Sequence, residues 1–208
     1  EAKVIIAGYG RFGMTVGRLL QANGFKSVVL DHDTEQIDAL RRFGIKLFYG
    51  DASRIDLLEA AGAREAEILI LAVDDRDKAS EIAAAVQKNF PNLRIFARVF
   101  DRVHAYEMVN AGVRDFYREV FDASVQMGED ALVALGKHPY EAHRAALLFK
   151  AHDRELLLQS AAHQGDSAAQ MDIARKGRAE ISNVLDADRT GTPVSSEEAW
   201  IAKERPDQ

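Results

Sequence analysis

KVIIAGYGRFGMTVGRLL, residues 3–20, reads as a short buried strand, a glycine-rich turn and the start of a helix. The run Val4–Ala7 is wholly apolar, as a strand covered on both faces must be. A helix is expected over Phe12–Asn23. Between them, Gly8-Tyr9-Gly10-Arg11-Phe12-Gly13 fits the spacing G-x-G-x-x-G. Gly8 permits the tight turn, Gly10 lets backbone approach a phosphate, and Gly13 lets helix and strand pack closely. The helix amino end then offers unpaired N–H groups and a positive dipole to an anion. The next apolar run ends in Asp31, followed by His32 and Asp33. A carboxylate there accepts from both hydroxyls of a ribose and repels a 2′-phosphate, which favours NAD(H) or AMP over NADP(H).

Outward from this stretch the first part of the chain alternates strand and helix signals. Strands are expected over Val4–Ala7, Ser27–Leu30, Lys46–Tyr49, Ile68–Ala72, Ile95–Val99 and Val113–Tyr117. Helices are expected over Phe12–Asn23, Thr34–Phe43, Arg54–Ala61, Asp75–Asn89 and Arg102–Ala111. Gly24, Gly44, Gly62 and Gly112 stand where those helices should stop. This is the pattern of an α/β, doubly wound parallel sheet over residues 3–118. After Arg118 the strand signals vanish. Phe121–Gly136, Tyr140–Ser160 and Ala168–Asp186 read as helices, making residues 119–189 a helical extension with too few apolar side chains for a second large core. Such helices pack on the parent domain or on another copy, so a homodimer is expected. Residues 190–208 read as a polar tail or strap.

Composition narrows the chemistry. With 208 residues, 47% of them hydrophobic, the chain can bury one proper core and carry an appendage. It holds no cysteine, which excludes disulfides, thiolate metal sites and a cysteine nucleophile. No apolar run approaches a membrane span, and no secretory signal opens the sequence. The strand at Lys3 begins so abruptly that the chain is expected to be a piece of something longer. Acids and bases balance through Arg118, so the whole net charge of −6 lies beyond it. An acidic surface argues against a nucleic-acid partner, although a solvated extension explains the charge equally well.

Two loops should flank the adenosine, because ligands of such sheets bind outside the carboxyl ends of the strands. They are Gly50-Asp51-Ala52-Ser53 and Ala72-Val73-Asp74-Asp75. The candidate nucleotide residues are therefore Gly8, Gly10, Arg11, Phe12, Gly13, Asp31, His32, Asp33, Asp51, Ala52, Ser53, Ala72 and Asp74. A local alternative stands beside some of them: Ser53 with Asp56 resembles a capping box, and Asp74 or Asp75 can cap a helix.

A dehydrogenase would also need a substrate pocket and an acid or base facing the nicotinamide. His32 lies on the adenosine side. His104, His138, His143, His152 and His163 fall on expected helices or their connections, as solvated surface histidines do. No pair has metal-ligand spacing with a carboxylate nearby, and the G-x-S-x-G and G-x-x-x-x-G-K-[ST] signatures are absent. The expectation is a regulatory binding domain with no catalytic residue and no metal.

GRFG, LDHD, FYGDASRIDLLEAAGA and ILAVDD together resemble the RCK (or KTN) domains that regulate potassium channels and transporters, most of all the carboxy-terminal domain of Kef-type glutathione-gated potassium efflux systems. The resemblance covers roughly residues 3–160. It implies a ligand-sensing domain of a potassium efflux (K+/H+ antiport) system at the cytoplasmic face of a bacterial inner membrane. The membrane transport domain would belong to the same polypeptide, and a flavodoxin-like quinone-reductase subunit would be an ancillary partner. It implies glutathione or its S-conjugates as a second ligand, with Arg18, Phe43, Asp101, Arg118 and Asp153 at the matching positions. Better-known members of the family carry an asparagine where Asp153 stands. Two rivals remain: an RCK module of a potassium channel, and a small NAD-dependent oxidoreductase.

Overall fold

The structure, a computed structural model, describes residues 2–33 and 45–190. Phe43 and its expected helix over 34–43, Gly44, and the tail over 191–208 lie outside them. Six strands form one parallel sheet: β1 (Val4–Ala7), β2 (Ser27–Asp31), β3 (Lys46–Tyr49), β4 (Ile68–Leu71), β5 (Arg94–Val99) and β6 (Asp115–Arg118). Their order is β3-β2-β1-β4-β5-β6. β1 and β4 bury nearly every residue, whereas edge strand β3 buries none fully. Central strands of such a sheet are covered on both faces, which is why β1 and β4 read as unbroken apolar runs.

Four described helices belong to this sheet: α1 (Arg11–Ala22), α2 (Ile55–Ala60), α3 (Arg76–Asn89) and α4 (Arg102–Asn110). Phe12, Val16 and Leu20 of α1 pack on a core of Val4, Ile6, Tyr9, Val29, Ile70 and Ala72. Their spacing of four sets one stripe of the helix against the sheet. α3 buries Ala79, Ile82, Ala83 and Val86, the same logic in smaller residues. Gly24, Gly62 and Gly112 follow their helices with φ of 83°, 93° and 88°. That left-handed geometry lets the chain leave a helix sharply, at the stops expected from the glycines.

The chain folds as two compact units, Glu1–Glu119 and Val120–Gln208. In the second, α5 (Phe121–Ala134), α6 (Pro139–Ala161) and α7 (Ser167–Thr190) follow one another. Phe121 and Phe149 stack at 6.2 Å between ring centres, and Lys150 binds Asp122 at 2.6 Å, which joins α5 to α6. A Cβ at Gly177 would collide with Leu156, and His152 Nε2 lies 2.8 Å from the Gly177 carbonyl. The missing side chain thus lets α6 and α7 approach closely. Among the described residues, α5 has none that is buried.

Candidate functional site

Because β1 connects to β2 on one side and β4 lies on the other, the carboxyl ends of β1 and β4 form the switch point of the sheet, where ligands of such sheets bind. The glycine turn sits at that point. Gly8 has φ +90°, and a Cβ on it would lie 2.7 Å from the Val73 amide. On Gly13 a Cβ would strike the Gly8 carbonyl. Gly10 differs: among the described residues its Cβ would meet only Asp74 Oδ2, at 3.8 Å. Two glycines are therefore demanded by packing, whereas at Gly10 the space in front of the helix stays open among the described residues. Gly10 is the N-cap of α1, and among the described residues no side chain caps that helix. Its first N–H groups are the donors an anion would use. Arg11 and Phe12 open α1 directly behind them.

Asp31 ends β2 beside this turn and is 8% exposed. Its Oδ2 accepts from the Tyr9 amide at 2.6 Å and its Oδ1 from the Asp33 amide at 2.8 Å. A carboxylate has about four acceptor positions, so both oxygens retain capacity for a ribose. The same side chain therefore shapes the glycine turn. His32 is exposed, with Nδ1 3.9 Å from Asp31 Oδ1.

At the end of β3, Asp51 accepts from the Ser53 amide at 2.8 Å and from Lys78 Nζ at 2.9 Å. The Ser53 bond, with help from Lys78, holds the Asp51 carboxyl at a pKa of about 2. Ala52 is buried beside it. The capping box of Ser53 and Asp56 does not form. Arg54 is the N-cap of α2, makes no side-chain cap bond to the helix backbone, and pairs with the Asp56 side chain. At the end of β4, Asp75 caps α3 by accepting from the Lys78 amide, leaving Asp74 to face outward. Ala72 is buried and its carbonyl is engaged.

What engages it is Arg98, which the motifs did not single out. Its side chain is 6% exposed on β5, with Nη1 2.6 Å from Asp74 Oδ1 and 3.2 Å from the Ala72 carbonyl. Nη2 donates to Glu119 Oε2 at 2.9 Å. The guanidinium lies 5.5 Å from the Phe12 ring and 4.7 Å from Phe100. A charge within the run Ile95–Val99 was the available signal, since a buried guanidinium requires partners.

The residues matched to a glutathione site fall on several elements. Arg18 is exposed on α1, and its charge opposes the burial that raises the Tyr9 pKa. Arg118 ends β6, in register with Val99 of β5. Asp101 is the N-cap of α4, accepting from the His104 amide at 2.8 Å, and its other oxygen is 3.9 Å from Arg76. Asp153 lies on α6, in the other unit.

The histidines correct one expectation. His104 is fully buried, not solvated. Its Nδ1 accepts from the Phe100 amide at 3.3 Å and its ring stacks on Phe100. His138 caps α6 through the Tyr140 amide, and His143 meets Glu129 at 3.0 Å. Among the described residues no group of three or more His, Asp or Glu could hold a metal ion.

Residues 4–118 match the family described as the TrkA-N domain, and residues 123–199 match the potassium efflux system KefB C-terminal domain. The chain is 40% identical over 204 residues, 98% of its length, to the glutathione-regulated potassium-efflux system protein KefC of Escherichia coli O139:H28, covering 33% of that protein. Its likeness to KefC of Cronobacter sakazakii is the same 40% over 200 residues, 96% of this chain and 32% of the relative. The chain thus spans about a third of the length of these curated relatives. Among solved structures, the Shewanella denitrificans Kef CTD in AMP-bound form is 51% identical, with a TM-score of 0.72, over 78% of this chain and 99% of that one. The TrkA-N domain of the Escherichia coli inner membrane protein ybaL shares the fold at 24% identity and a TM-score of 0.57, over 64% of this chain and 96% of that one.

Proposed function

This chain belongs to the TrkA-N domain family, as a Kef-type carboxy-terminal regulatory domain, and from that premise we propose that it senses ligands to gate potassium efflux. The observation that carries the nucleotide part is the glycine turn itself. Gly10 faces open space at the start of α1, and the buried carboxylate of Asp31 stands beside it. A phosphate at the helix end and a ribose on Asp31 make a ribonucleotide. The Kef domain at 51% identity was solved with AMP, which favours AMP or NAD(H) here. Gly8, Gly10, Arg11, Phe12 and Gly13 hold the phosphate end, Asp31, His32 and Asp33 the ribose, and Asp51, Ala52, Ser53 and Ala72 the flanks, with Asp74 bordering the phosphate end.

Titration calorimetry of the chain should show AMP or NADH binding better than NADPH. Asp31→Ala should weaken it by about 1–3 kcal/mol, the range for hydrogen bonds to a charged acceptor. Asp31→Asn removes the charge and one of the two loop hydrogen bonds, to the Tyr9 or the Asp33 amide, and so should fall between the native chain and Asp31→Ala. Equal affinity of the native chain for NADPH would remove the 2′-phosphate argument.

The second ligand in this reading is glutathione or an S-conjugate, since the KefC relatives are glutathione-regulated. Its two carboxylates suit the guanidinium groups of Arg18 and Arg118, which bind carboxylates as two-pronged donors. Phe43 would sense the thiol substituent, with Asp101 and Asp153 near the ammonium. The domain would act as a homodimer at the cytoplasmic face of a bacterial inner membrane. It would be joined to a transport domain in the same polypeptide and approached by a quinone-reductase subunit. Glutathione titrated into native chain, Arg18→Ala and Arg118→Ala is the test. Each substitution should cost about 2–5 kcal/mol where the pair is desolvated, and less where it is rim-exposed. If both variants bind normally, the glutathione site is elsewhere.

A further inference from the structure

Asp74 and Arg98 make an arrangement that the nucleotide reading alone does not require. Asp75 caps α3, so Asp74 has no capping work. Its side chain is 82% exposed, yet it is held by a guanidinium that is 6% exposed. Asp74 spans a gap: Oδ1 is 2.6 Å from Arg98 Nη1, and Oδ2 is 3.8 Å from where a Cβ on Gly10 would stand. The carboxylate therefore sits between the buried cation and the open space in front of α1.

Resting on the nucleotide reading above, we propose that Arg98 is a phosphate ligand whose seat Asp74 occupies until a nucleotide arrives. Asp74 meets Arg98 through one oxygen on Nη1, a seat that a phosphate oxygen, also an anionic acceptor, can take in its place. A phosphate held by the amides at Gly10 would meet the Asp74 carboxylate as a like charge at close range. Asp74 is on a loop and can swing into solvent at little cost. Arg98 is fixed by the Ala72 carbonyl, by Glu119 and by the rings of Phe12 and Phe100. The exchange replaces Asp74 by phosphate on Arg98 and leaves the guanidinium paired throughout. It also joins the switch point to Glu119, the residue that follows Arg118 at the end of β6.

A simple contact role for Asp74 and the exchange predict opposite signs. Asp74→Asn removes the competing charge, so AMP should bind tighter relative to adenosine, which has no phosphate. The ratio of the two affinities should rise by roughly tenfold, the scale of one screened like-charge contact. Arg98→Lys, which keeps the charge but not the fork, should lower that ratio. Calorimetry with AMP and adenosine on native chain and both variants measures it, with melting temperatures to confirm folding. A ratio unchanged or lowered in Asp74→Asn overturns the proposal, because Asp74 is then a bystander or itself a ligand. A native chain that binds neither AMP nor adenosine fails the nucleotide reading instead, and this inference with it.

Discussion

At the first turn of α4 the buried ring of His104 stacks on Phe100, and the positive Arg76 lies near on α3. Burial first, and then the Arg76 charge, lower its pKa below the usual 6.5, against the opposing pull of Glu107 and Asp101. In the unfolded chain the ring takes its proton near 6.5, whereas in the folded chain it resists. Stability from this group is therefore complete above that pH and is lost as pH falls through the folded value. The melting temperature should drop as pH falls below the unfolded value of 6.5, and less steeply in His104→Phe. Identical slopes in the two proteins would rule His104 out as the source. Glu107, kept low by its bonds to Arg76, and Asp51 at about 2 contribute only in stronger acid. None of this burial was legible beforehand: a histidine four places from Phe100 looks like any helix-face polar residue until its neighbours are known.

Among the elements, α1 shows most clearly what local sequence can dictate. Its glycines do different work, and single alanines separate them. Gly13→Ala drives a Cβ into the Gly8 carbonyl, so the fold should lose about 1–3 kcal/mol, as overpacked sites do. Gly10→Ala meets nothing closer than 3.8 Å among the described residues, so stability should hold while nucleotide affinity falls. Urea unfolding read beside calorimetry checks both. If Gly10→Ala unfolds as easily as Gly13→Ala, the space in front of α1 is not open. The spacing G-x-G-x-x-G was legible because each glycine answers a constraint set by the turn and its own strand and helix. The start of α2 was less so: Ser53 and Asp56 have capping-box spacing, but Asp51 claims the Ser53 amide and Arg54 claims Asp56.

For the whole molecule, the helical unit exposes several large apolar side chains. Met127 and Leu135 are exposed on and just after α5, and Met171 on α7. Apolar surface of that kind is covered in a self-complementary pair, so a two-fold dimer is expected. Sedimentation equilibrium at micromolar concentration should report twice the 23.0 kDa of one chain. Met127→Glu combined with Leu135→Glu should move the equilibrium toward monomer. A native chain that sediments as a monomer would count heavily against the dimer.

From the sequence by itself came the alternation of strand and helix, the glycine turn with its nucleotide logic, Asp31 after the second strand, and the change of character after Arg118. These are local: they depend on periodicity and turn chemistry, whose causes lie within a few residues of one another. The tertiary structure alone decided that Arg98 is buried against Asp74 and Glu119, respectively 24 and 21 positions away, that His104 is enclosed, and that Asp75 rather than Asp74 caps α3. Partners so far apart in sequence meet only when the order β3-β2-β1-β4-β5-β6 lays the ends of β4, β5 and β6 side by side. Where a charge is buried depends on which strands become neighbours, and no short-range pattern in the chain encodes that.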